Sequence, residues 1–255
     1  MRELFLYRDF IIYKFWADLR SEARRFYISY IWWFLDPILY MLVFYLVFGI
    51  LLSRQRPDFV PFLLIGLASW RWFGTSVQHA AASILQAKGL MLQTYIPKAV
   101  FPAIVILTDI FKFILIFFVL LIFLWSYGFG VDYYYLALPI VIATQLSFIL
   151  FIGFSCSVVV PFLPDLNFLI GHVIHLMFFV SGVFFGIDAI PEKLRIIFLL
   201  NPMARILQSY REILMYKTWP DMRMLLIISA ISLVGCACAL MLLRRFDRVY
   251  PRVIE

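Results

Sequence analysis

The chain has 255 residues, of which 65% are apolar and 19% aromatic. Soluble domains are roughly 45–50% apolar, so this composition excludes a soluble protein and indicates an integral membrane protein. The formal net charge of +7 comes largely from basic residues at the ends of apolar runs, where anionic lipid and membrane topology account for them. Nucleic acid is therefore not an expected partner.

Residues 1–26 predict an amphipathic helix that lies in the membrane interface. Its apolar side chains recur at helical spacing, at Ile11, Ile12, Phe15, Trp16 and Leu19. Charged residues lie away from that stripe, as is typical of an interface helix. An apolar run over residues 28–52 follows, and at about 1.5 Å per residue it is long enough to cross ~30 Å of hydrocarbon.

Five more apolar runs alternate with polar turns and predict five further spans. They cover residues 59–85, 100–127, 135–160, 168–185 and 224–243. Six spans place both termini on one side of the membrane. Twelve Lys and Arg residues flank that side and eight flank the other, so the positive-inside rule predicts cytoplasmic termini. The chain is thus predicted to be an all-α polytopic membrane protein, with one transmembrane domain over residues 1–255.

A polar segment at residues 86–102 separates the second and third spans. We interpret it as a short helix lying across the cytoplasmic membrane face, with Lys88 and Lys98 on either side. Pro97 and Pro102 end that helix and restart the chain. A soluble partner could push on such a helix, but from these residues alone a plain interhelical loop is favoured.

Between residues 186 and 223 the sequence predicts two amphipathic helices too short to cross the membrane. The first starts at Pro191, and the second follows Asn201 and Pro202, an N-cap residue with a proline at the first helical position. In the second helix the apolar stripe consists of Ile206, Tyr210, Ile213 and Leu214. Arg211 is expected to lie off that stripe.

Four Asp, Lys or Arg residues fall inside predicted spans, where each costs ~2.5 kcal/mol or more to bury. They are Asp36, Arg71, Asp109 and Lys112. Arg71 and Asp109 have similar predicted depths, and Lys112 lies one helical turn beyond Asp109. We expect mutual charge neutralisation between spans. The alternative is that Arg71 lines a conduit and meets a phosphate or an acidic sugar.

Metal binding and catalysis have little support in the sequence. His172 and His175 stand one turn apart, but no carboxylate or thiol motif accompanies them, so polar packing is favoured over a metal pair. Cys156, Cys236 and Cys238 lie inside apolar runs and indicate neither disulfides nor zinc. No metal ligand and no catalytic residue is predicted.

Several segments together resemble the membrane subunit of ABC-2 type exporters, and in particular the capsule and O-antigen permeases. The segments are 30–37 (YIWWFLDP), 62–70 (FLLIGLASW), 83–90 (SILQAKGL), 101–102 (FP), 181–185 (SGVFF), 190–193 (IPEK) and 200–202 (LNP). The resemblance covers roughly residues 20–220, and its specificity comes from the combination. It implies a homodimer of six-span subunits in the bacterial inner membrane that exports a lipid-linked polysaccharide.

The resemblance also implies partners and sites. Two copies of a separate ATPase subunit would carry ATP and Mg, with no cofactor in this chain. The coupling helix between spans two and three would contain Gly89, Leu90, Leu92 and Tyr95. The outward re-entrant gate helices, at about residues 191–216, would contain Pro191, Glu192, Asn201, Pro202, Tyr210 and Arg211. The sequence has no Gly-x-x-x-x-Gly-Lys-Ser/Thr motif, which agrees independently with ATP binding on a partner.

Other functions remain open at this point. An ABC-2 exporter of a small lipophilic drug or lipid would share the fold and the partner, and a channel that does not use ATP is also hard to exclude. A membrane glycosyltransferase is less favoured, because the paired carboxylates that such chemistry needs are missing.

Overall fold

The computed structural model describes residues 7–24, 58–187 and 190–253, together with eight residues of the predicted first span. Those eight are residues 35, 38, 39, 42, 43, 46, 47 and 50. Most of the predicted first span, including Asp36, therefore lies outside the described residues. The side chains of Leu92 and of residues 22–24, 194, 196 and 197 lie outside them as well.

Helices joined by short turns make up the described residues, which confirms the all-α prediction for that part of the chain. The helices are α1 (Arg8–Arg24), α2 (Phe59–Gln86), α3 (Lys88–Gln93), α4 (Val100–Tyr127), α5 (Leu138–Val159), α6 (Leu166–Val180), α7 (Glu192–Leu199), α8 (Pro202–Leu214), α9 (Met222–Phe246) and α10 (Tyr250–Val253). A 3-10 turn over Tyr133–Ala137 runs directly into α5.

Three of the described helical segments are long and apolar enough to cross a membrane. They are α4, Tyr133–Val159 and α9. Helix α6 is also apolar but has only 15 residues, about 22 Å at 1.5 Å per residue. The total of six spans stays a prediction.

Helix α2 is the centre of the packing. It contacts α4, α5, α6 and α8, and most of its side chains are buried. The Trp72 ring stacks on Phe113 of α4 at 4.0 Å between centroids. On the α5 side, a Cβ added to Gly153 would lie 3.0 Å from the Ala80 Cβ, so glycine permits this close approach. Because protein surrounds α2, its side chains need not be uniformly apolar.

Local signals explain where several helices begin and end. Helix α4 ends at Gly128, which has φ +109° and whose N–H is directed to carbonyls of the last turn. Helix α8 starts at Pro202 after Asn201, whose side chain accepts a hydrogen bond from the Met203 N–H at 3.0 Å. Asp221 caps α9 in the same way through the Met224 N–H, at 3.2 Å.

The predicted fifth span, residues 168–185, is not one helix. Helix α6 ends at Val180, and residues 181–185 form a turn in which Gly182 has φ +77°. A side chain at Gly182 would meet the Phe198 ring at 2.5 Å, so both the conformation and the available space require glycine. The carbonyl groups of Gly182 and Val183 in this turn lie outside the helix, and Arg211 of α8 donates hydrogen bonds to them.

Helix α1, which is the described part of the predicted interface helix, packs on α4. Phe15 and Leu19 are buried, and the Phe15 ring lies 5.8 Å from that of Phe111. Ile12 and Trp16 are half exposed. One face of α1 therefore contacts protein and another stays open to the membrane interface.

Candidate coupling platform, gate and charged cavity

The coupling platform consists of α3 and the loop at residues 94–99. Met91 is buried and Leu90 half-buried, whereas Lys88, Gly89 and Gln93 are exposed. A Cβ added at Gly89 would meet no atom within 4 Å. One side of this short helix therefore holds it to the protein, and the other side presents an open surface.

A single carboxylate holds the loop of the platform. The Tyr95 hydroxyl donates a hydrogen bond to Asp247 Oδ2 at 2.6 Å, and the Lys98 backbone N–H donates to Asp247 Oδ1 at 2.8 Å. Tyr95 keeps 62% of its surface exposed, while Asp247 is buried. Sequence analysis selected Tyr95 but missed Asp247, because nothing in the basic C-terminal segment marks this acid as a contact of a loop 149 residues away.

Lys98 is part of the same contact. Its side chain is buried, its Nζ donates to the Ile96 carbonyl at 3.1 Å, and it lies 5.0 Å from the centroid of the Tyr95 ring. Burial lowers the pKa of the Lys98 ammonium, and the nearby Asp247 carboxylate opposes that change. The Lys98 ammonium therefore contacts the Ile96 carbonyl and the Tyr95 ring of its own loop.

The C-terminal segment also contacts the turn between α5 and α6. The Tyr250 hydroxyl donates to the Val158 carbonyl at 3.1 Å. The rings of Phe246 and Tyr250 pack on Phe162 at 5.5 and 5.3 Å. The platform, the α5–α6 turn and the end of α9 therefore meet at one end of the molecule.

The opposite end holds the gate region, which consists of α7, α8 and the turn before them. Pro191 and Glu192 are exposed at the start of α7. Besides capping α8, Asn201 donates through Nδ2 to Ser181 Oγ at 2.8 Å. Asn201 therefore both caps α8 and joins the start of that helix to the end of α6.

Arg211 is buried in the gate region, at 2% exposure. Its Nη1 and Nη2 donate to the carbonyls of Gly182 and Val183 at 2.8 and 2.9 Å, and its Nε donates to the Phe62 carbonyl at 3.3 Å. Its guanidinium carbon lies 3.4 Å from the centroid of the Phe62 ring. The expectation that Arg211 lies off the buried stripe is wrong, because the interrupted end of α6 supplies carbonyl acceptors to the core.

Tyr210 lies beside Arg211 and follows the prediction for the apolar stripe. It is fully buried, and its ring lies 5.8 Å from Phe117 of α4. Among the described residues its hydroxyl has no hydrogen-bond partner. Tyr210 therefore contributes packing between α8 and α4.

The charged cavity lies between α2 and α4 and has a volume of about 350 Å³. Arg71, Asp109 and Lys112 all line it, together with His79 and mainly apolar side chains that include Ile38 of the predicted first span. The sequence predicts similar depths for Arg71 and Asp109, with Lys112 one turn beyond Asp109, and in the structure all three line one cavity. Asp36, the fourth member of the predicted charge network, lies outside the described residues.

Asp109 contacts a residue that sequence analysis missed. His79 Nδ1 lies 3.2 and 3.1 Å from the two carboxylate oxygens, and Asp109 is 5% exposed. A signal for this placement was present, since Arg71, Thr75 and His79 recur every four residues and so share one face of α2. The proposed pairing of Arg71 with an acid stays a prediction.

The two histidines of α6 have ordinary contacts. His172 Nδ1 donates to the Phe168 carbonyl at 2.7 Å, and the His175 ring packs edge-on against Phe179 at 5.5 Å. Across the described part of the chain, no group of three or more His, Cys, Asp or Glu residues is placed to hold a metal ion.

Comparisons with known proteins cover most of the chain. Residues 11–215 match the family model described as ABC-2 type transporter. The chain is 30% identical over 236 residues to the "O-antigen export system permease protein RfbA" of Myxococcus xanthus, which covers 92% of this chain and 91% of that protein. A Klebsiella pneumoniae protein of the same name is 28% identical over 199 residues, or 78% of this chain and 77% of the relative. The "Polysialic acid transport protein KpsM" of Escherichia coli is 25% identical over 214 residues, 79% of each chain.

Proposed function

Because the chain belongs to the ABC-2 type transporter family, we propose that it is the membrane-spanning permease subunit of an ATP-driven exporter of a lipid-linked polysaccharide. The similarity along 92% of the chain to a protein named as an O-antigen export permease carries this proposal. A polysaccharide of the capsule, O-antigen or teichoic-acid type is favoured over a small drug, because another relative is named for polysialic acid transport.

ATP and Mg are assigned to a separate ATPase subunit, since the chain has no phosphate-binding Gly-rich loop. The open face of α3, with Lys88, Gly89 and Gln93 exposed, is the surface assigned to that subunit. Gly89 leaves room for a partner to approach the backbone closely. A homodimer would present two such surfaces and bind two ATPase copies.

Both termini are assigned to the cytoplasmic side of the bacterial inner membrane. The contact of Asp247 with Tyr95 and Lys98 supports this assignment for the C-terminal segment, because it brings that segment to the same end as the coupling platform. The excess of basic residues on that side gives independent support.

The charged cavity is assigned to substrate passage or to charge neutralisation between spans. Its ionisable side chains face an otherwise apolar wall, where electrostatic interactions are stronger than in water. A phosphate of a lipid carrier or an acidic sugar fits the cationic members, Arg71 and Lys112. Substitution of Arg71 alone and together with Asp109 separates these two roles.

The coupling role is tested by placing a charge on the open face of α3. Gly89→Glu adds its side chain into empty space, so the subunit should fold normally. At a protein interface, however, the unpaired carboxylate should cost about 3–5 kcal/mol and weaken ATPase binding strongly. Co-purification of the ATPase and retention of polymer in the cytoplasm are the measurements.

Gly130→Glu is the matched control. Gly130 lies in the exposed turn at the opposite end of the molecule, and a Cβ there also meets nothing within 4 Å. This variant should keep normal co-purification and export. Normal co-purification and export in Gly89→Glu would contradict the coupling role.

A further inference from the structure

Asp247 is the buried acid of a basic segment. It follows the last residue of α9, and its neighbours Arg244, Arg245 and Arg248 are exposed while Asp247 itself is 8% exposed. An aspartate is rarely buried unless its carboxylate has partners, and an exposed ion pair with a neighbouring arginine would contribute little. The partners that stabilise the buried Asp247 carboxylate lie on the platform.

Both carboxylate oxygens of Asp247 are used on the platform. One accepts from the Tyr95 hydroxyl at 2.6 Å, and the other accepts from the Lys98 backbone N–H at 2.8 Å. These are short, charge-assisted hydrogen bonds to two points of one loop. Two bonds to one carboxylate fix the orientation of the loop as well as its distance from α9.

The loop has little freedom of its own. Lys98 is almost fully buried and is held by the Ile96 carbonyl and the Tyr95 ring. Pro97 lies between these contacts and fixes the backbone dihedral φ. At the far side, Tyr250 ties the same C-terminal segment to the Val158 carbonyl. Displacement of α3 would therefore move the end of α9 with it.

We propose that Asp247 is a positioning residue that joins the coupling platform to the end of α9, so that a push on α3 reaches the last span directly. This inference rests on the proposed function, in which an ATPase docks on α3. Helix α3 also contacts α10 directly, so Asp247 adds hydrogen bonds between the loop of the platform and the end of α9 to a contact that already exists. The expected defect is inefficient transmission, with the docking surface intact.

The experiment uses the full subunit in complex with its ATPase. Asp247→Ala should raise hydrogen exchange in the peptide over residues 94–99 about tenfold, because the Lys98 amide loses its acceptor. The ATPase should still co-purify and hydrolyse ATP, but the amount of polymer exported per ATP should fall several-fold. A purely structural contact would raise the exchange without changing that ratio.

Three further variants complete the test. Asp247→Asn retains an acceptor for the Lys98 N–H and should restore much of the ratio, whereas the milder Tyr95→Phe serves if Asp247→Ala folds poorly. Tyr95→Phe removes only the hydroxyl bond and should give an intermediate ratio. Asp221→Ala removes the cap at the other end of α9 and should leave the peptide over residues 94–99 unchanged.

The outcomes separate the inference from the proposed function. Unchanged exchange in Asp247→Ala, or raised exchange with an unchanged ratio of export to ATP, would overturn the positioning role. If α3 is not the surface that binds the ATPase, the Gly89→Glu variant will instead show normal ATPase co-purification and export.

Discussion

The gate region and the charged cavity each hold an arginine among apolar residues, and they accommodate the charge in different ways. Arg211 is 2% exposed, and its guanidinium donates to the carbonyls of Phe62, Gly182 and Val183. Arg71 lines a cavity of about 350 Å³ with other ionisable side chains. The first arrangement surrounds the guanidinium with backbone carbonyls, whereas the second leaves a cavity beside it.

Backbone carbonyls can stabilise a buried cation where a helix is interrupted, as they do for Arg211. Within the described part of the chain no carboxylate contacts Arg211, and two of its three acceptors, the Gly182 and Val183 carbonyls, exist because α6 stops before Gly182. Gly66 provides the space, since a Cβ there would lie 2.6 Å from Arg211 Nη2. Arg211 therefore belongs to the architecture of the gate region, whereas the role of Arg71, in charge neutralisation or in substrate contact, stays a prediction.

The largest expected effect is that of Arg211→Met. Charge-assisted hydrogen bonds are each worth about 1.5–3 kcal/mol, and their loss leaves buried carbonyls without a donor. We expect a loss of about 3–5 kcal/mol in stability, seen as a sharp fall in folded yield and thermal midpoint in detergent.

Arg205→Met on the same helix is the control for that variant. Arg205 is half-buried and donates through Nε to the Leu199 carbonyl at 3.3 Å, so its loss should be much smaller. If Arg211→Met folds as well as Arg205→Met, the contrast between the gate region and the cavity fails.

Arg71→Met should have an intermediate effect on stability. Arg71 is half-buried and lines a cavity, so we expect a loss of about 1–3 kcal/mol. If Arg71 neutralises Asp109, adding Asp109→Asn should recover much of the folded yield. Normal yield with lost export, unchanged by the second substitution, would instead assign Arg71 to the substrate.

The smallest expected effect concerns the contact between α2 and α4 at His79. His79→Leu removes the group that lies 3.1 Å from Asp109 Oδ2 and should lower stability by about 1 kcal/mol, because the buried carboxylate loses a hydrogen bond. A double-mutant cycle with Asp109→Asn should give a coupling energy of at least ~0.5 kcal/mol.

His175→Leu provides the comparison for the cycle, since that ring only packs edge-on against Phe179 on exposed α6. It should show no coupling to Asp109. Equal coupling for the two histidines would mean that the short distance between His79 and Asp109 carries no specific energy.

Sequence alone sufficed where the physics is local. The largely apolar run of residues 100–127 predicts α4 with the observed bounds, because a helix that crosses hydrocarbon must be predominantly apolar and must satisfy its own backbone hydrogen bonds. The cap of α8 follows from Asn201 and Pro202 alone, since an N-cap bond joins residues two positions apart. The family resemblance, later borne out by the comparisons, rested on similar short segments.

Only the tertiary structure decided which distant groups meet. Asp247 binds a loop 149 residues away, and Arg211 reaches carbonyls 28 and 29 residues away. Helical periodicity tells which residues share a face, but it does not tell which face packs on which neighbour. The end of α6 at Val180 is a further case, because the apolar run continues past it while the structure replaces the helix with a turn at Gly182 that packs against Phe198. Contacts of this kind depend on the simultaneous arrangement of several helices, and no short window of sequence contains that information.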